Sequence, residues 1–240
     1  MKRVEILGVP IDAVTMHEAL KYALAFLDDG EKHHIATPNN EMLLVAQKNS
    51  AFKAVLQTSA LNIPDSTGLL WAAKRKGQVL PERVTGVDFT EKLCRRLSKD
   101  QSVFFLGGYK GAGKKAAEAL QKINPNLTVA GTYEGSPSSS DAPEIITRIN
   151  DSETKILLVA YGAPAQELWI NQYLMNLVSV RVAIGVGGTF DFLSGRIKRA
   201  PKCMQRCGLE WLWRLFQQPT RIGRMWNAVV VFPLQVLLSK

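Results

Sequence analysis

The residues of this chain read as an α/β protein: a Rossmann-like, largely parallel sheet with helices on both faces, followed by a basic helical C-terminal appendage. Three observations carry that reading. Short apolar runs alternate with helical patterns through most of the 240 residues. After Pro201 the alternation stops and only helical patterns follow. Charge is divided unevenly, since residues 196–240 hold nine Lys or Arg against one acid, Glu210, and so eight of the nine net positive charges. We therefore expect an α/β body over 1–195 and a basic appendage over 196–240 that meets an anionic partner.

Taken in order, strands are expected at 4–8, 34–37, 61–64, 103–107, 127–132, 156–160 and 182–186. Thr15-Met-His-Glu18 is a capping box ahead of Ala19, Leu20, Ala23, Leu24 and Leu27, and Asp88-Phe-Thr-Glu91 reads as a second, with Asp88 as the cap. Further helices are expected over 111–124 and 164–177, and the serine-rich run 136–140 is a surface loop. In the appendage, helical stretches fall near 201–216 and 219–238. Ile222, Met225, Trp226, Val229 and Val230 share one face there, with Arg224 and Asn227 opposite. The apolar stretch 225–238 contains Asn227, Pro233 and Gln235, and is shorter than the about 20 apolar residues a bilayer crossing needs. A basic helix of this kind lies in a membrane interface or packs on its own protein.

An apolar content of 46% belongs to a folded globule. Glu5 and Asp12 interrupt what would follow Met1-Lys2-Arg3 in a secretory signal. Cys94, Cys203 and Cys207 form no disulfide framework and no four-ligand zinc set, so reduced thiols are expected.

Gly108-Tyr-Lys-Gly-Ala-Gly113-Lys114 follows a strand and opens a helix. It has the frame of a P-loop, but Lys115 stands where a Ser or Thr would hold magnesium. Gly111-Ala-Gly113-Lys-Lys-Ala116 also fits a dinucleotide fingerprint, with Glu134 about 20 residues on, which keeps an NAD(P)-dependent oxidoreductase as an alternative. The plainer reading is a strand-to-helix turn. Asp65 ends a strand-like run where parallel sheets place ligands, and reads equally as a helix cap for 66–76. Thr37-Pro-Asn39-Asn40 and the turn of Gly185, Gly187 and Gly188 leading to Asp191 lie at two further strand ends. There is no D-x-D triplet, and His17, His33 and His34 form no ligand set. We expect no metal and no cofactor, so a leaving diphosphate would be met by Arg, Lys and backbone amides. The aromatics of the tail lie on an apolar face instead of interleaving with its basic residues, which argues against nucleic acid.

Gly162-Ala-Pro-Ala-Gln166-Glu167-Leu-Trp169, Gly187-Gly-Thr-Phe-Asp191-Phe-Leu-Ser-Gly195-Arg-Ile-Lys-Arg199-Ala-Pro201 and Gly208-Leu-Glu-Trp211-Leu-Trp-Arg214-Leu, with Pro219 and Arg221, follow one another in order. Upstream stand Thr37-Pro-Asn39, Leu61-Asn-Ile-Pro-Asp65 and Pro81-Glu-Arg83-Val-Thr-Gly86-Val-Asp88. Together they resemble the WecG/TagA/CpsF glycosyltransferases over nearly the whole chain. Ser66-Thr67 departs from the family pattern but leaves the preceding carboxylate.

The resemblance implies inverting transfer of N-acetylmannosamine, its uronic acid or a glucose-type sugar from UDP to undecaprenyl-diphosphate-linked N-acetylglucosamine. The product would serve wall teichoic acid or a related surface polymer. It implies a cytoplasmic protein held at the inner face of the bacterial membrane. Independently of the resemblance, an exposed apolar tail face needs cover in water, so self-association away from the membrane is expected. On this reading Asp65 is the general base. Thr37, Asn39 and Gln166 position the sugars and UDP, the turn of Gly185, Gly187 and Gly188 admits the nucleotide, and Asp191 accepts from ribose or uracil. Arg83 stabilises the departing UDP or the acceptor diphosphate. Arg214, Arg221 and Arg224 bind the lipid diphosphate or cover the site.

Overall fold

The computed structural model describes residues 2–239, the Arg206 side chain excepted. Met1 and Lys240, the ends of the two expected regions, lie outside the described residues.

The chain opens on an antiparallel hairpin, β1 (Arg3–Ile6) and β2 (Val9–Asp12). Its two-residue turn holds Leu7 and Gly8 at φ 50° and 73°, the left-handed pair that a tight hairpin needs. The strand expected at 4–8 is thus half of a hairpin, outside the parallel sheet. Leucine disfavours this backbone, which hid the turn; its burial in the core accompanies the strain. Asp12 is fully buried, paired with Arg3 Nε at 2.8 Å, and accepts the Asn62 amide at 2.7 Å, which ties the hairpin to the sheet beneath the site.

The helix α1 (Met16–Asp28) starts on the expected Thr15 capping box and leads to β3 (His33–Ala36). Two helices then follow that the sequence reading left out, α2 (Asn40–Lys48) and α3 (Ser50–Thr58), each capped by an asparagine, Asn39 and Asn49. They return the chain to the short β4 (Leu61–Asn62) and α4 (Thr67–Arg75). In α5 (Gly86–Arg96) the cap is Thr85, not Asp88 as expected. Asp88 sits one turn in, where its amide reaches the Thr85 hydroxyl and its carboxylate accepts from it at 2.6 Å.

Next come β5 (Val103–Gly107), α6 (Ala112–Ile123) and β6 (Val129–Tyr133), then α7 (Ala142–Asp151), another unexpected helix, just after the serine loop. β7 (Ile156–Ala160), α8 (Ala165–Tyr173), β8 (Val182–Gly185) and α9 (Thr189–Leu193) complete the alternation.

Six strands make one parallel sheet in the order β4-β3-β8-β7-β5-β6. Alternate residues of each strand feed two cores, as a period of two requires. Val103 and Phe105, with Ile156, Leu158, Val182 and Ile184, face α1, α5 and α6. Phe104, Leu106, Leu157, Val159 and Ala183 face α7 and α8. Each fully buried Leu, Ile or Phe among them contributes about 1.5–3 kcal/mol.

The tail is helical but segmented: α10 (Lys202–Arg206), α11 (Glu210–Gln217), α12 (Ile222–Trp226), a π-helical turn at Asn227–Val231, and α13 (Phe232–Leu238). The wide π turn shifts the helical register. Ile222, Trp226 and Val229 therefore stay exposed, while Phe232 and Val236 enter a third core with the hairpin, α2, α3 and α4. Among the described residues no helix is long and apolar enough to cross a membrane.

Candidate active site

Four adjacent strands, β4, β3, β8 and β7, carry Asp65, Thr37 and Asn39, the turn 185–188 with Asp191, and Gln166 at or beyond their carboxyl ends. Arg83 and the tail arginines come from outside the sheet. Thr37 follows β3 directly and donates to the Gly185 carbonyl at the end of β8, 3.2 Å away. Asp65 lies three residues beyond β4, with its amide tied to the Pro38 carbonyl at 3.0 Å. It is not the cap of α4: that position belongs to Ser66, which makes no side-chain capping bond. The Asp65 carboxylate is thereby left for other work. A methyl group at Gly86 would meet Thr37 Oγ1 at 3.3 Å and Asp65 Oδ2 at 3.5 Å, so these two side chains flank one small space above the sheet edge. Asp65 is half-buried beside that space. Burial pushes its carboxyl up to about 7, against the opposing pull of Arg83 and of the Gly86 amide.

The tail closes over the same edge. Arg83 Nη2 reaches Glu210 Oε2 on α11 at 2.7 Å, and Arg199 Nε lies 2.7 Å from Glu210 Oε1. Arg199 also pairs with Asp88 at 3.0 Å. Glu210, the one acid of the basic tail, thus joins the tail to the Asp65 neighbourhood. Its solitude among nine basic residues was the signal in the sequence that marked it. Asn40, which the sequence placed at a strand end without a role, donates to the Ala228 carbonyl at 2.8 Å and accepts from Ser66 at 2.7 Å, holding the π turn against the Asp65 loop.

Arg214 lies over the Phe192 ring at 5.0 Å, and a Cβ on Gly188 would strike its guanidinium. Burial lowers the Arg214 pKa, and the nearby charge of Arg224 lowers it further. Arg221 is pushed down to about 10, first by burial and then by Arg214 and Arg224. Arg224 pairs with Glu41 on α2. Among the described residues no carboxylate pairs with Arg214 or Arg221, and the buried Nε of each lacks a partner. Arg214 and Arg221 thus stand without a carboxylate partner, with Arg224 near enough to repel both.

The other expected residues fall as follows. Asn39 caps α2 through Oδ1, which accepts the Met42 amide at 3.1 Å. Asp191 lies 3.4 Å from Arg196 and lines a cleft of about 450 Å³ with Tyr109, Ile197, Gln217 and Gln218. Gly187 holds φ 49°, a backbone that glycine adopts freely. Gln166 is almost wholly buried, with both ends of its amide bonded inside the protein. A larger cavity, about 570 Å³ and lined by Thr15, His17, Glu82 and Arg95 among others, shares no residue with this site. At the Gly108 turn the Gly111 amide donates to Glu134, so a carboxylate already sits where a P-loop or dinucleotide fold would place phosphate. Among the described residues no three His, Cys, Asp or Glu side chains gather as a metal site.

A parallel sheet that gathers a carboxylate and a glycine turn at its carboxyl edge, with arginines of the tail beside them, has its candidate site where open α/β enzymes hold ligands. Comparison with known proteins narrows this class to one family. Residues 4–240 match the description "Glycosyl transferase WecG/TagA/CpsF family", and the chain belongs to it; it is a glycosyltransferase. The chain is also similar to an N-acetylglucosaminyldiphosphoundecaprenol N-acetyl-beta-D-mannosaminyltransferase of Bacillus spizizenii, with 35% identity over 201 residues, covering 83% of this chain and 77% of the relative.

Proposed function

We propose that the chain transfers N-acetylmannosamine from UDP to undecaprenyl-diphosphate-linked N-acetylglucosamine, with inversion and without a metal ion, in the synthesis of wall teichoic acid or a related surface polymer. The observation that carries this is the placement of Asp65 between Thr37 and Arg83 under a tail that brings Arg214 and Arg221. The name of the Bacillus relative supplies the sugars.

In this mechanism Asp65 takes the proton from the acceptor hydroxyl as its oxygen bonds to the anomeric carbon from the face opposite UDP. The bond from that carbon to the β-phosphate oxygen breaks in the same displacement. UDP leaves with the electron pair, and Arg214 and Arg221 meet the charge that develops on it. Arg83, shared with Glu210, holds the carboxylate in register. Residues 1–195 act as the catalytic body and 196–240 as the appendage that completes the anion seat.

The test is UDP release from UDP-N-acetylmannosamine, with and without a short-chain lipid-diphosphate-N-acetylglucosamine, in the presence of EDTA. Acceptor-dependent release that survives chelation is expected. Release that vanishes with EDTA and returns with a divalent ion overturns the metal-free mechanism; release from the uronic acid or a glucose-type donor alone reassigns the donor.

The exposed Phe216, Ile222 and Trp226 of the tail, beside its basic residues, fit an anionic membrane surface at the inner leaflet, where the lipid acceptor resides. Trp226→Glu is expected to reduce co-sedimentation with anionic phospholipid vesicles at least several-fold while leaving transfer to a water-soluble acceptor intact. Equal sedimentation of variant and parent rules this surface out.

A further inference from the structure

Glu167 is completely buried at the start of α8, and its Oε2 has no partner among the described residues. A carboxyl placed so costs stability; an apolar residue of the same size would cost less. Its other oxygen explains its presence. Glu167 Oε1 accepts from Gln166 Nε2 at 2.9 Å, and this fixes which end of the Gln166 amide points away. Gln166 Oε1 then accepts two backbone amides at once, Gly162 at 2.9 Å and Gly187 at 2.9 Å. Those amides belong to the turns after β7 and β8, so one side chain ties two neighbouring strand ends together. A Cβ at Gly185 would collide with the Glu167 carboxylate and lie 2.8 Å from Gln166 Nε2, so the pair sits directly against the end of β8. On the other side of that strand end, the Gly185 carbonyl receives the Thr37 hydroxyl.

We propose that Glu167 is a positioning residue for donor binding: through Gln166 it sets the geometry of the Gly187 turn on which the nucleotide diphosphate rests. Gln166 accordingly acts through the turn and not by touching the sugar. The inference rests on the reading of that turn as the seat of UDP. Without an acceptor oxygen at position 167, only the two backbone N–H donors hold the amide, and Gln166 Nε2 is left buried with no partner. The side chain then shifts towards another acceptor, and the tether on Gly187 loosens.

The role requires an acceptor, not a negative charge, and this separates it from a merely structural one. Burial pushes the Glu167 carboxyl up to about 7, consistent with a group that works without full ionisation. Glu167→Gln keeps an acceptor oxygen and is expected to hold UDP affinity by calorimetry, and donor KM, within about twofold of the parent. Glu167→Met is expected to weaken UDP binding and raise donor KM, each about tenfold, with acceptor KM unchanged, an effect of about 1.4 kcal/mol on the donor alone. Should Glu167→Met fail to fold, the double variant Gln166→Leu/Glu167→Leu removes both buried polar side chains and leaves only the part-buried Gly162 and Gly187 amides without their acceptor. It is expected to fold and to lose about tenfold in UDP affinity.

Parental UDP affinity in the folded Met or double-Leu variant overturns the proposal. So does a Gln variant as impaired as the Met variant, because the carboxylate itself would then be required. A parent protein that does not bind UDP overturns the donor reading of the turn first, and this inference with it.

Discussion

An Asp65→Asn protein is expected to lose about 10²- to 10⁴-fold in turnover, the usual contribution of a positioned proton acceptor, and to melt at a higher temperature than its parent. The two effects share one cause. Asp65 is half-buried, and desolvation raises its carboxyl to about 7, so the empty enzyme keeps a group that resists ionisation. In the unfolded chain the same carboxyl ionises near about 4. Between these values the folded state holds a proton that the unfolded state has released, and stability therefore falls as pH rises through that window. Asparagine carries no such penalty. Its stabilising effect should be near zero below about pH 4, grow up to about pH 7 and then level off. In the parent, kcat/KM should rise with pH through about 7 as Asp65 becomes a base. Melting curves across pH 4–9, with initial rates of UDP release, measure both. An Asp65→Asn enzyme with near-parental turnover removes Asp65 from the chemistry.

Arg214→Ala is expected to lower kcat by about 10²- to 10³-fold, the loss typical when one group aimed at developing negative charge is removed. Arg214 is buried, lies against the Gly188 turn and has no carboxylate partner, so its charge is uncommitted until substrate arrives. Arg221 shares that condition, and Arg221→Ala should come next in severity. Arg224 is already paired with Glu41, so Arg224→Ala should cost least. Arg214→Lys should recover only part of the rate, because an ammonium cannot grip two phosphate oxygens in a planar fork. Loss of Arg214 also relieves repulsion among the three guanidiniums, so melting temperature should hold or rise. A kcat unchanged in Arg214→Ala, with both substrates saturating, removes the tail from transition-state stabilisation. Point substitution isolates this role better than truncation, because Phe232 and Val236 fill a core that truncation would open.

Much of the sheet could be read from residues alone because β5, β7 and β8 are buried on both faces and appear as unbroken apolar runs. The helices α2, α3 and α7 escaped because each is short, nine or ten residues, and their caps, Asn39, Asn49 and Asp141, resemble ordinary turn residues. The Asp88 cap was misplaced by three residues because Thr85-Gly-Val-Asp88 and Asp88-Phe-Thr-Glu91 both fit the capping pattern. Only backbone geometry separates them.

Local chemistry settled the parallel strands and the longer helices between them, the Thr15 cap, the basic character of the tail and the family motifs, because each depends on residues near one another in the chain. Pairing across the chain settled the rest. The partnership of Arg83 with Glu210 spans 127 residues, and that of Arg224 with Glu41 spans 183. Neither leaves a mark in local periodicity. The desolvation that raises the Asp65 carboxyl exists only once the strand ends and the tail come together, since burial belongs to the assembled surface and not to any segment of the chain.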